Sequence, residues 1–202
     1  MGIIDWIAFV TGVICVWLIV RERDINWPIG LVNSLALLIV FATQKLYAQA
    51  GLQAFYVVEC AYGWWMWTRV DRATGRKVIR IGRTKRQTLI ALLLIAAGGV
   101  GLLYPIFKRT GDPAPFWDGV ISAMSLVAEY MLCLKFFEAW AVYFGADLIS
   151  LILLGYLGMW VIFGTYLCFT ILCVLGWLEW RKRMMTMASN SGAASSLASS
   201  TP

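Results

Sequence analysis

The chain has 202 residues, 61% of them hydrophobic and only 14% charged. Soluble domains run at roughly 45–50% apolar and 25% charged, so the composition excludes an ordinary soluble domain and describes an integral membrane protein. The net charge is +6 and there is no histidine, which removes the commonest proton shuttle, general base and metal ligand together.

A spanning helix needs about 20 mostly apolar residues. In chain order the candidates are Ile3–Val20, Trp27–Thr43, Gly51–Thr68, Thr88–Phe107, Phe116–Leu134, Ala139–Leu157 and Val161–Trp180. The first stretch carries no basic n-region and no small-residue cleavage site, so it is expected to stay as a span. Pro28 sits in the first turn of the second helix, where a missing N–H costs little. The fourth span is bland apart from Gly98 and Gly99 and is expected to link two three-helix units. The Ser/Ala/Gly-rich tail cannot bury enough apolar surface to order itself and is expected to be disordered. The expected divisions are 1–68 and 108–183 for the two units, 69–87 for a basic loop, 88–107 for the linker span and 184–202 for the tail.

Residues Trp27 to Trp67 recur 113 positions later at Trp140 to Trp180 without a gap. Trp27 falls on Trp140, Gly51 on Gly164, Cys60 on Cys173, and Gly63-Trp64-x-x-Trp67 on Gly176-Trp177-x-x-Trp180. Helices two and three thus map onto six and seven, and helix one pairs with five. With three spans per unit, one linking span restores the orientation, so the repeats are expected to be parallel, in a 3+1+3 all-α architecture. Many transporters are built from such repeats, with solute held between them near mid-membrane.

Basic residues set the expected orientation. Eight lie between Arg69 and Arg86, and cytoplasmic loops carry the Lys/Arg excess. Placing that loop inside puts fourteen basic residues inside and leaves Lys45, Lys108 and Arg109 outside. The N-terminus is then outside and the C-terminus cytoplasmic. The charge is read as this topology signal, not as a nucleic-acid site.

Ionisable residues within spans are costly and default to function; here they are Glu59, Glu129 and Asp147. Asp118, Ser122, Ser125 and Glu129 fall on one stripe of the fifth helix, and Tyr143, Asp147 and Ser150 on one stripe of the sixth. In the third helix Gln49, Gln53, Tyr56 and Cys60 share a face, with Glu59 at its edge; Asn33 and Ser34 are the polar residues deep in the second. The serines can serve as interhelical glue. The acids cannot find a Lys or Arg well inside any span, and a cationic solute would supply the missing partner. Trp117 and other aromatics can serve as packing or as walls for a flat, positively charged ring. The five cysteines lie in apolar runs and are expected to pack as small hydrophobes. No Cys-x-x-Cys, phosphate loop or Gly-x-Ser-x-Gly element occurs. No catalytic residue, cofactor or metal site is expected, so an enzyme is disfavoured, as is a scaffold with three buried acids.

Leu46-Tyr47-Ala48, Leu52-Gln53 and Tyr62-Gly63-Trp64-x-x-Trp67, followed by Pro115-Phe116-Trp117-Asp118 and Trp140 with Leu148-Ile149-Ser150, resemble the bacterial Pnu vitamin transporters over about Ile7 to Arg183. The resemblance implies a 3+1+3 fold related to SWEET sugar transporters, homotrimers in some members, and a place in the bacterial inner membrane. It also implies facilitated diffusion of an unphosphorylated B-vitamin (nicotinamide riboside, thiamine or riboflavin), trapped inside by phosphorylation. Asn33 and Gln53 match the family pattern. Nicotinamide riboside carriers typically have Asn at the positions of Cys60 and Asp147 and an apolar residue at that of Glu129. These departures lead to thiamine as the expected solute, with nicotinamide riboside as the alternative. The expected site joins Asn33, Gln53, Tyr56 and Glu59 to Trp117, Glu129, Tyr143 and Asp147, with the lipid bilayer as the other partner. A proton-coupled carrier, with Glu59 or Glu129 carrying the proton, is the rival mechanism.

Overall fold

Long apolar runs have no water to satisfy their backbone groups inside a bilayer, so each must close its own hydrogen bonds as a helix. Among the described residues the computed structural model has seven helices: α1 Ile3–Val20, α2 Asn26–Thr43, α3 Tyr47–Thr68, α4 Arg86–Arg109, α5 Pro115–Cys133, α6 Ala139–Tyr156 and α7 Trp160–Ser199. Backbone is described for residues 3–43, 45, 47–75, 77–111 and 113–199. The structure is all-helical apart from two isolated bridges among the described residues, Val70 with Lys77 and Gly82 with Phe136.

Among the described residues, five helices are long and apolar enough to cross a membrane: α2, α4, α5, α6 and the Trp160–Met187 part of α7. The sequence expectation was seven. Within α1, Phe9–Val20 forms a shorter apolar stretch. In α3, Gln49, Gln53 and Glu59 dilute a 22-residue helix that is otherwise apolar and aromatic. Helix α7 continues through the tail expected to be disordered, as far as Ser199. Its Met and Ala residues are good helix formers, and the helix runs on directly from the apolar span that ends at Met187.

Helices α1, α2, α3, α5, α6 and α7 close a ring in that order, with α7 returning to α1, and α4 packs outside against α5. Small residues permit the α4–α5 approach: a Cβ on Gly99 would lie 3.3 Å from the Ala123 methyl, and one on Gly119 would lie 3.6 Å from the Tyr104 backbone. The ring's neighbour pairs map onto themselves when each residue is exchanged with the one 113 positions away. Turn geometry follows the same offset: Glu22 (φ 57°) and Lys135 (φ 54°) are left-handed, as are Lys45 (φ 62°) and Gly158 (φ 69°). Arg23 N–H donates to Leu18 O at 2.9 Å and Phe136 N–H to Met131 O at 2.9 Å. These matching six-residue closures end α1 and α5 alike.

The indoles are the keystones of both halves. Trp27 meets Trp67 edge to face at 5.3 Å, and Trp140 meets Trp180 in the same way at 5.4 Å. Gly63 and Gly176 are the positions where these rings seat. A Cβ on Gly176 would stand 2.6 Å from Trp140, and one on Gly63 would collide with Trp27. The repeated Gly-Trp-x-x-Trp block is therefore a packing device: its glycine admits a Trp of the neighbouring helix and its second Trp closes over that ring.

Candidate functional site

Two cavities lie along the centre of the helix ring. The wider, of about 790 Å³, is a vestibule at the end carrying the α2–α3, α4–α5 and α6–α7 turns. The polar stripe of α5 descends its wall as Asp118, Ser122 and Ser125, with Gln49, Ser150 and Tyr166 around it. The smaller, of about 270 Å³, lies deeper and takes residues from all six ring helices, including Asn33, Ser34, Tyr56, Glu129, Tyr143 and Asp147. Tyr56 belongs to both walls. One stripe therefore runs from the vestibule at Asp118 to the deep cavity at Glu129.

The deep cavity has few hydrogen-bond partners of its own. Tyr143 Oη donates to Glu129 Oε2 at 2.5 Å. Cys173 Sγ donates to Asp147 Oδ2 at 3.4 Å, and Asp147 is 6% exposed. Thr11 Oγ1 donates to Asn33 Oδ1 at 3.2 Å, which leaves the Asn33 amide N–H groups for other acceptors. None of the cavity-lining residues is a Lys or Arg. Two carboxyl groups thus face the cavity without a cationic partner in its lining, an arrangement that attracts a cation.

The lining is also paired by the repeat. Six pairs at the 113 offset both face the cavity: Val16 with Glu129, Ile19 with Leu132, Gly30 with Tyr143, Ser34 with Asp147, Tyr56 with Phe169, and Cys60 with Cys173. In two pairs an acid stands opposite an uncharged residue, and in both it belongs to the second half. The cavity is therefore polarised, with Glu129 and Asp147 on the α5–α6 side and Asn33 and Ser34 on the α2 side.

Of the eight residues expected at the site, Asn33, Tyr56, Glu129, Tyr143 and Asp147 come together around this cavity. Gln53, Glu59 and Trp117 do not line it. Glu59 stands at the α3–α5 seam, where its backbone carbonyl accepts the Cys133 thiol at 3.4 Å; its Oε2 is buried without a partner. Gln53 is half-buried on α3. Trp117 is 49% exposed and stacks edge to face on Phe116 at 5.3 Å, toward the outside of the ring. The aromatic walls are instead Tyr56, Tyr143, Phe169 and Trp140. Sequence reasoning also missed the α1 wall of Gly12, Cys15 and Val16. These residues carry no polar signal, although the repeat register of Glu129 points to Val16.

At the other end, near the α3–α4 loop, the cavity closes on Ile19, Leu132 and Trp140. Beneath them Lys135, 2% exposed, bonds Glu22 at 2.6 Å. Burial pushes this ammonium below the ordinary lysine range, and the Glu22 carboxylate pulls it back up. Its Nζ also lies 4.2 Å over the Trp67 ring.

The sequence model of the nicotinamide mononucleotide transporter family matches residues 2–182. The chain belongs to this family. It is similar to the nicotinamide riboside transporter PnuC of Escherichia coli, 24% identical over 203 residues that cover 88% of this chain and 84% of that protein. It is 27% identical to the PnuC of Neisseria mucosa, over 87% of this chain and 71% of that one. It is 29% identical to the riboflavin/roseoflavin transporter RibM of Streptomyces davaonensis, over 72% of this chain and 69% of that one. Its fold resembles the crystal structure of the vitamin B3 transporter PnuC with a TM-score of 0.68 at 21% identity, over 89% of this chain and 80% of that one. The chain is thus a multi-pass membrane transporter of the Pnu type and not an enzyme.

Proposed function

We propose that the chain takes up an unphosphorylated, positively charged vitamin nucleoside, nicotinamide riboside in the first place, by facilitated diffusion across a bacterial inner membrane. Nicotinamide riboside replaces thiamine, the solute expected from sequence, because relatives matched over most of their length are named for it. The polarised cavity carries the reading. Glu129 and Asp147 receive the pyridinium ring, Tyr56 and Tyr143 provide π-faces for it, and Asn33 and Ser34 meet the uncharged polar end. Riboflavin, the substrate in RibM's name, is a poorer fit, since its three fused neutral rings would set two acids against an uncharged surface in about 270 Å³.

In this reading the helices form 3+1+3 parallel repeats. The ring order, the shared offset of the left-handed turns and the duplicate Trp pairs support that arrangement. Solute enters by the vestibule, outside the cell, and leaves at the basic-loop face as the two units rock about the site. The N-terminus is outside and the C-terminus cytoplasmic.

The test is uptake into proteoliposomes from labelled nicotinamide riboside, thiamine and riboflavin in parallel. Nicotinamide riboside should enter faster than into empty vesicles, and Asp147→Asn should weaken its apparent affinity by about tenfold, the weight of one lost charge contact. Entry of thiamine or riboflavin without nicotinamide riboside would overturn the assignment.

A further inference from the structure

The closed end of the cavity is built from contacts that cross between the two halves, and they come in reciprocal pairs. Trp67 Nε1 in the first half donates to Leu132 O in the second at 3.1 Å; Trp180 Nε1 in the second donates to Ile19 O in the first at 3.3 Å. Each partner is the other's repeat mate, as at a two-fold interface. Ile19 and Leu132 are also the side chains that floor the cavity. Their carbonyls lie at the C-termini of α1 and α5, where helix ends leave acceptors to be satisfied.

One step further out, Glu22 and Lys135 are themselves repeat mates, both left-handed, and they bond each other at 2.6 Å. Arg183 adds a contact to the second Glu22 oxygen at 2.9 Å. The α3–α4 loop then lies across both halves. Lys77 pairs with Asp24 in the first. In the second, Gly82 N–H donates to Lys135 O at 3.2 Å, Phe137 N–H donates to Gly82 O at 2.9 Å, and Thr84 N–H donates to Glu138 at 2.8 Å.

We propose that Glu22, Lys135, Trp67 and Trp180 form the gate between the cavity and the basic-loop face, and that the α3–α4 loop is the strap that holds it shut. The structure is the state open at the vestibule and latched at this face. Release of solute requires the two Trp–carbonyl bonds and the Glu22–Lys135 pair to part together, because all three join the units that must separate. Lys135 is suited to such a latch. Removed from water, its ammonium is satisfied by Glu22 and the Trp67 face, and both contacts lie across the seam. The inference rests on the transport reading, but its first test, the labelling of cavity thiols, needs no solute.

The cavity carries its own reporters, the thiols Cys60 and Cys173. A membrane-impermeant maleimide is applied to vesicles of the full chain from each face, and labelling of these two cysteines is followed by mass spectrometry. In the parent protein they should react from the vestibule face and be protected from the basic-loop face. Trp67→Phe with Trp180→Phe keeps an aromatic ring at each position, though a smaller one, and deletes both N–H donors; it should speed labelling from the basic-loop face by about tenfold, the effect of losing a buried hydrogen bond on a two-state equilibrium. Glu22→Gln with Lys135→Met should do the same. Parent protein that labels equally from both faces, or folded variants that label no faster, would overturn the gate. A second arm covers any variant that does not fold. Glu22→Cys with Lys135→Cys, bridged by a short reducible thiol crosslinker, should still bind solute from the vestibule but stop uptake until the bridge is reduced. Undiminished uptake in the bridged protein would also refute the proposal. Failure of uptake by every vitamin, with the labelling pattern intact, would remove the function assignment and leave the gate standing.

Discussion

Substituting Ala for Gly176 separates the packing role of the Gly-Trp device from ordinary helix propensity. A Cβ there would stand 2.6 Å from three ring atoms of Trp140, roughly 0.8 Å inside the 3.4 Å at which ordinary contact begins. Trp140 is 1% exposed and is backed by Trp180 at 5.4 Å, so the ring can yield only toward the cavity it lines. Overpacking of this kind costs about 1–3 kcal/mol. Ala in place of Gly returns about 0.8–1.0 kcal/mol of helix propensity, so Gly176→Ala should lose up to about 2 kcal/mol net. Gly164 provides the control. It lies on the same helix with nothing within 4 Å of its would-be Cβ, so Gly164→Ala should keep the propensity gain. The gap between the variants isolates the overpacking cost, and for a chain of this size it should separate their Tm values in detergent by on the order of 5 °C. Function adds a second axis. Trp140 lines the cavity and Trp27 does not, so Gly176→Ala should also weaken solute binding beyond its stability loss, whereas Gly63→Ala should reduce stability alone. Equal Tm shifts for Gly176→Ala and Gly164→Ala would refute the argument that the glycine exists to seat the indole.

Tyr143→Phe deletes a hydroxyl bonded to Glu129; solute affinity, read by ligand-dependent Trp fluorescence, should fall by about tenfold, and unchanged affinity would remove the Tyr143–Glu129 pair from the site. Trp117→Ala should leave affinity within about twofold of the parent, since an exposed ring outside the cavity loses only surface contacts; a tenfold loss would place that ring against the solute after all.

The repeat and the polar stripes were readable because each is a one-dimensional pattern. Glu129, Tyr143 and Asp147 announce themselves as polar groups at helical spacing in apolar runs, and they do meet at one cavity. Trp117 carries the same sequence signal as a wall residue, but the helix rotation that sends Asp118 into the vestibule leaves its neighbour on the outer surface. Gln53 lies on the right stripe of α3, yet neither cavity reaches it. Val16 and Gly12 have no chemistry to flag them and became visible only as the wall opposite Glu129. The seven helices were legible in their order and nearly in their limits, while the reach of α7 to Ser199 was not.

Composition alone determined that this chain lives in a membrane, because a backbone without water must close its own hydrogen bonds in helices. The 113-residue offset determined which residues are mates in sequence. Whether mates touch is a different question, since sequence distance says nothing about which surfaces a symmetry axis brings together. Only the tertiary structure decided that Glu22 and Lys135 face each other, that Trp67 and Trp180 donate across the seam to Leu132 O and Ile19 O, and that both acids of the cavity stand on one side of it.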